Sequence, residues 1–221
     1  QGLTQKEVVA AAVKGMGQSA LKSTLILCCM RGKDNKEANL ETIRIAKDFL
    51  GKGVGAIDLA GAEALFPTKD FEELFVLAKE WGIPYTIHAG EADGPESVCK
   101  ALTFGTKRIG HGVRSLEDKE LVKRLAEEGI TLELCPTSNL NTNIFSSYVE
   151  YPLRELMAAG VKVTINTDNM TVSNTTVAEE IEHLQLRKEE MHLLAKHAAE
   201  ASFADAETKV WLKKEIEKRF L

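Results

Sequence analysis

Six short apolar runs recur along the chain, each ending in small or polar residues and each followed by a helical pattern. They are Ser23 to Met30, Gly55 to Gly61, Tyr85 to Glu91, Arg108 to Gly112, Thr131 to Asn139 and Val161 to Asn169. Their first residues stand 32, 30, 23, 23 and 30 apart, the repeat length of a strand-helix unit. Tyr85, Thr86 and Ile87 show why these runs read as strands: aromatic and β-branched side chains suit a pleated, buried surface.

The helices between the runs carry their own start and stop signals. Thr4-x-x-Glu7 is a capping box for a helix from Thr4 to about Gly15. Asn39 is expected to cap Leu40 to Leu50, ahead of Gly51, and a helix from Asp70 to Trp81 stops at Gly82. Pro95 suits a first helical position before the stop at Gly105, and Ser115-x-x-Asp118 opens the helix closed by Gly129. Pro152 opens the one closed by Gly160. A long helical region from Thr176 to Phe220 follows, broken near Ser202 to Ala206. No linker or low-complexity stretch divides residues 1–221, so a single domain is expected.

Strict alternation gives a parallel sheet, either an open doubly wound sheet or a (β/α)8 barrel. An open sheet of the nucleotide-binding kind shows a Gly-rich phosphate turn after an early strand, and Met30-Arg31-Gly32-Lys33 is not one. In a barrel, functional residues come from the C-terminal ends of several strands. Here polar residues fall at those ends: Asp58 and Gly61, His88 and Glu91, His111, Ser138 and Asn139, Asp168 and Asn169. A (β/α)8 barrel is therefore expected, with six strands present. The strand count and the Gln1 start point to two N-terminal strands outside this chain.

Bulk properties narrow the function. The net charge of -5 is mild and the basic residues are spread out, which argues against a nucleic-acid partner. No apolar run is long enough to span a bilayer, and the first residues lack the basic start and apolar core of a secretory signal. Cys28 and Cys29 are neighbours inside a strand, while Cys99 and Cys135 sit in other regular elements. The four cysteines read as thiols of a cytoplasmic protein.

Taken together, the strand ends hold metal-binding and proton-transfer groups. His88 and Asp168 are candidate metal ligands, Glu91 and His111 candidate acid-base or electrostatic groups. A zinc site that keeps a position for water lowers the pKa of that water toward ~7. In sequence order, His88-Ala89-Gly90-Glu91, Gly110-His111-Gly112, Cys135-Pro136-Thr137-Ser138-Asn139 and Asn166-Thr167-Asp168-Asn169 resemble the motifs of the adenosine deaminases. Asp58-Leu59-Ala60-Gly61 resembles that family's preceding strand.

The resemblance covers essentially the whole chain and implies a zinc-dependent (β/α)8 hydrolase of the cytoplasm. Its expected reaction is deamination of adenosine and 2'-deoxyadenosine to inosine and 2'-deoxyinosine, with release of ammonia. By motif position, His88 and Asp168 are zinc ligands, Glu91 protonates purine N1, and His111 orients the attacking hydroxide. Gly61 contacts the purine through its backbone, and Asn169 faces N7 where some members carry a second aspartate. Ser138 lies behind the metal.

One departure concerns the His-x-His pair of the family's first strand, which this chain lacks; a separate N-terminal segment is expected to carry it. His183, His192 and His197 lie in the C-terminal helical region and read as surface or packing residues. Free adenine or AMP is the alternative substrate, the latter needing cations such as Arg31, Lys33 and Arg114 near the pocket. The alternative from a different class is an inactive barrel fragment lacking two metal ligands.

Overall fold

The computed structural model describes residues 2–220, and Gln1 and Leu221 lie outside the described residues. The chain groups into two compact units, Gln1–His88 and Ala89–Leu221.

In the first unit the order is α1 (Gln5–Met16), β1 (Leu25–Met30), α2 (Lys36–Phe49), β2 (Val54–Ala60), α3 (Glu72–Glu80) and the start of β3 (Ile87–Ala89). Strands β1 and β2 pair in parallel, and Tyr85 continues the ladder through a bridge to Ile57. All but the last residue of β2 are buried, as expected of a parallel strand covered on both faces. Ile43, Ile45 and Ala46 of α2 and Leu74, Phe75 and Ala78 of α3 form much of the surrounding core. Each large aliphatic side chain so buried contributes roughly 1.5–3 kcal/mol of transfer free energy. The capping box of α1 forms as its sequence predicts: Thr4 Oγ1 accepts from Glu7 N, and Glu7 Oε2 accepts from Thr4 N.

Asn39 does not cap a helix. α2 starts at Lys36, so Asn39 falls inside it, 3% exposed, and turns its amide onto the last residue of β1. There its Oδ1 accepts from Met30 N at 2.8 Å and its Nδ2 donates to Met30 O at 2.9 Å. A buried strand end needs both groups satisfied, and that demand outweighs the residue's local preference for a helix start.

The second unit runs through α4 (Pro95–Thr103), β4 (Arg108–His111), α5 (Lys119–Glu127), β5 (Thr131–Leu134), α6 (Pro136–Asn141), α7 (Leu153–Ala158) and β6 (Lys162–Ile165). Four further helices follow: α8 (Met170–Ser173), α9 (Val177–His183), α10 (Lys188–Ala201) and α11 (Ala206–Phe220). Strands β4, β5 and β6 pair in parallel, and Gly112 N donates to Ala89 O at 3.0 Å. Leu132, Leu134 and Val163 are fully buried, as are Leu125 and Leu156 of the flanking helices, and Leu121 is nearly so.

Two sequence expectations change in this unit. Cys135 to Asn139 is not strand: β5 ends at Leu134, and Pro136 takes a first helical position, opening α6. The helix after β4 begins at Lys119 with Asp118 as its cap, accepting from Glu120 N and Leu121 N, while Ser115 sits in a 3-10 turn. The C-terminal helical region breaks at residues 184–187 as well as at 202–205. His183 stacks on Tyr148, His192 stacks on Phe220, and His197 Nδ1 lies 3.1 Å from Val163 O, so all three pack. All four cysteines are free thiols, and burial pushes Cys29 up to about 12.

Candidate functional site

The first unit places His88 where β3 begins its run out of the sheet, with Asp58 of β2 behind it. His88 Nδ1 lies 2.7 Å from Asp58 Oδ2, and Asp58 Oδ1 accepts from Leu59 N at 2.7 Å. Asp58 is 4% exposed. Burial raises its pKa, but the adjacent His88 imidazole, with the hydrogen bonds that it and Leu59 N make to the carboxyl, outweighs that and holds the carboxyl below its ordinary value. A carboxylate facing Nδ1 draws the imidazole proton to that nitrogen and leaves Nε2 with its lone pair, the arrangement metal-binding histidines use.

Arg31 fixes the same strand end from the other side. It is 5% exposed and donates to Phe66 O (2.7 Å), Thr68 Oγ1 (3.0 Å) and His88 O (2.6 Å). Gly61 follows β2 with φ of +105°, and a Cβ there would sit 3.4 Å from Arg31 N.

The second unit gathers four candidate residues on its strand ends. His111 closes β4, is 1% exposed, and has φ of +59°; Asp168, after β6, has φ of +54°. Non-glycine residues in the left-handed region are uncommon, and such strain collects where a side chain must point in one direction. Glu91 Oε2 lies 3.6 Å from His111 Nε2, and Glu91 is the more accessible of the two, with 22% of its side chain exposed. Ser138 Oγ donates to Asp168 Oδ2 at 2.8 Å and so orients that carboxylate.

Asn169 caps α8: its Oδ1 accepts from Thr171 N (3.1 Å) and Val172 N (3.0 Å). With the carbonyl oxygen committed to the helix, the amide offers its Nδ2 hydrogens outward.

Asn139, noted in the sequence only as a polar strand-end residue, is the hub of this unit. It is fully buried and its Nδ2 lies 3.1 Å from both Glu91 Oε1 and His111 Nδ1. Tyr151 donates to its Oδ1 at 2.9 Å. Thr142 Oγ1 adds a longer bond to Glu91 Oε1 at 3.3 Å. The strand-end position of Asn139 and its place in the Cys-Pro-Thr-Ser-Asn motif were the only available signals, since its partners are remote in sequence.

Among the described residues, no group of three or more His, Cys, Asp or Glu side chains is disposed to hold a metal ion. The residues still fit one as contributors: His88 is arranged with Nε2 as its lone-pair nitrogen, and Asp168 is oriented through one oxygen with the other left to accept a cation.

The sequence profile described as adenosine deaminase matches residues 2–219. The chain belongs to the adenosine deaminase family. It is 46% identical to the adenosine deaminase of Haemophilus ducreyi over all of its own length and 67% of that protein's. Among solved structures it resembles the adenine deaminase of Arthrobacter aurescens, with a TM-score of 0.88, 27% identity, and coverage of 99% of this chain and 69% of the other. The N6-methyl-AMP deaminase of Arabidopsis thaliana matches with a TM-score of 0.86, 27% identity and coverage of 98% and 68%. The chain spans about two thirds of the length of the curated relatives it matches. The fold class is that of the α/β barrel hydrolases, and six of the family's parallel strands lie among the described residues. Among those residues no helix is long and apolar enough to cross a membrane.

Proposed function

We propose that this chain forms the larger part of a zinc-dependent deaminase acting on adenosine and 2'-deoxyadenosine, releasing ammonia and the corresponding inosine, as part of cytoplasmic purine metabolism. The observation that carries this reading is the Glu91–His111 pair at 3.6 Å, a carboxylate and an imidazole fixed together on a strand end of an adenosine deaminase family member.

Glu91 is the proton carrier. Asn139 and Thr142 hold one oxygen of its partly exposed carboxyl, which would give a proton to purine N1. His111 is rigid and buried, suited to orienting the attacking oxygen and to stabilising the charge that develops on it. The backbone at Gly61 lets the purine lie close, and Asn169 Nδ2 donates to N7, which has only a lone pair to offer. His88 through Nε2 and Asp168 would hold the zinc, which when bound supplies Lewis-acid activation of water. A catalytic zinc takes at least three protein ligands, so we assign the others to a separate N-terminal His-x-His segment.

A nucleoside is preferred over a nucleotide substrate because two of the three cations named for a phosphate, Arg31 and Arg114, are already committed. Arg31 holds the backbone at Phe66 and His88, and Arg114 pairs with both oxygens of Glu117. Glu91→Gln tests the assignment in enzyme that carries the His-x-His segment. Zinc content and fold should persist while kcat falls by ~10² or more, because the amide cannot carry the proton. Retention of more than about a third of the activity would remove Glu91 from the role given it here.

A further inference from the structure

We propose that Asn139, aligned by Tyr151, is the positioning residue that fixes His111 as its Nε2–H tautomer and so turns the imidazole's donor nitrogen toward Glu91. The proposal rests on the reading of Glu91 and His111 as the reacting pair and adds the device that sets their protons.

Two bonds decide how the buried amide is oriented. Tyr151 OH lies 2.9 Å from Asn139 Oδ1, and burial pushes the Tyr151 phenol well up, so it keeps its proton and donates. The opposite end of the amide lies 3.1 Å from Glu91 Oε1. A carboxylate oxygen only accepts, so the amide end facing it must be the NH2 group. An inverted amide would place two acceptor oxygens at that distance in a site with little water to screen them.

The second hydrogen of Nδ2 then points at His111 Nδ1, 3.1 Å away. That nitrogen must present a lone pair, since two donors cannot share the contact. A neutral imidazole carries one hydrogen, so it resides on Nε2. Nε2 is the nitrogen 3.6 Å from Glu91 Oε2. One amide therefore orders both groups: it donates to the carboxylate oxygen it holds and dictates which imidazole nitrogen faces the other oxygen. His111 cannot evade the constraint by rotating, because it is 1% exposed on a left-handed backbone, with Gly112 N bonded to Ala89 O beside it.

The experiment is a nitrogen-proton correlation spectrum of the imidazoles in residues 1–221, recorded near pH 8, about 1.5 units above the ordinary histidine pKa. The expected result is a His111 whose Nδ1 shift is that of an unprotonated nitrogen and whose Nε2 shift is that of an N–H. Tyr151→Phe, which preserves the ring, should move the tautomer ratio about fivefold toward Nδ1–H, the factor one hydrogen bond is worth. Asn139→Leu, which removes the donor, should move it at least as far. An Nδ1–H His111 in the parent chain would overturn the proposal, as would a ratio unmoved in the folded Tyr151→Phe variant. The spectrum needs neither zinc nor turnover, so inactivity of enzyme that carries the His-x-His segment, beside the expected spectrum, would defeat the functional reading while leaving this inference standing.

Discussion

Gly90 separates the end of β3 from Glu91, and replacing it with alanine tests whether the backbone there is as constrained as its geometry implies. Its φ is +71°, and an added Cβ would lie 2.5 Å from Val98 Cγ2 and 3.4 Å from Gly112 Cα. Val98 is fully buried on α4 and cannot retreat without disturbing the core. An L side chain in the left-handed region costs about 1–2 kcal/mol, and overpacking a well-filled core about 1–3 more. Alanine also reduces unfolded-state entropy, which offsets about 0.4–1 kcal/mol. The net loss expected is about 1–4.5 kcal/mol, centred near 3.

Gly129→Ala is the control, because Gly129 has φ of +63° but nothing within 4 Å of an added Cβ. It carries the strain without the clash, so its net cost is about 0–1.5 kcal/mol. Urea unfolding of both variants, with slopes compared against the parent chain, reads the difference. At about 2–4 °C per kcal/mol for a chain of this size, Gly90→Ala should also melt on the order of 10 °C lower. Equal midpoints for the two variants would refute the claim that Val98 and Gly112 confine the backbone leading to Glu91.

Two further outcomes follow from the charged contacts. Asp58→Asn, which keeps the shape but removes the charge behind His88 Nδ1, should weaken zinc binding about 10- to 100-fold by calorimetry, and unchanged affinity would show that Asp58 does not tune the ligand. Glu190 is held at a pKa of about 2, chiefly by its hydrogen bond to Arg154, so its stabilisation is present above its ordinary value of 4.5 and is lost as the pH falls from 4.5 toward 2. With Arg154 and Arg187 53% and 72% exposed, solvent screening reduces the effect to about 1–2 kcal/mol, and Glu190→Gln should flatten stability against pH in that window.

The sequence by itself determined the strand-helix repeat, because the signals that produce it are local. The Thr4–Glu7 capping box, Pro95 at the head of α4 and Asp118 at the head of α5 each act within one helical turn. Order and spacing of the strand-end motifs were enough to name the family. Local signals failed where a distant partner outweighed them. Asn39 looked like a helix cap until the end of β1 claimed its amide, and Cys135 to Asn139 looked like strand until Pro136 turned it into a helix.

Only the tertiary structure decided which polar groups meet. Asp58 stands behind His88 because parallel pairing brings β2 beside the strand run that follows Tyr85. Asn139 reaches Glu91 across 48 residues of sequence, His111 across 28 and Tyr151 across 12. A buried amide must satisfy its donors and its acceptor, but nothing along the chain tells it with whom. Folding supplies those partners, and with them the left-handed backbone at His111 and Asp168 that aims the two side chains.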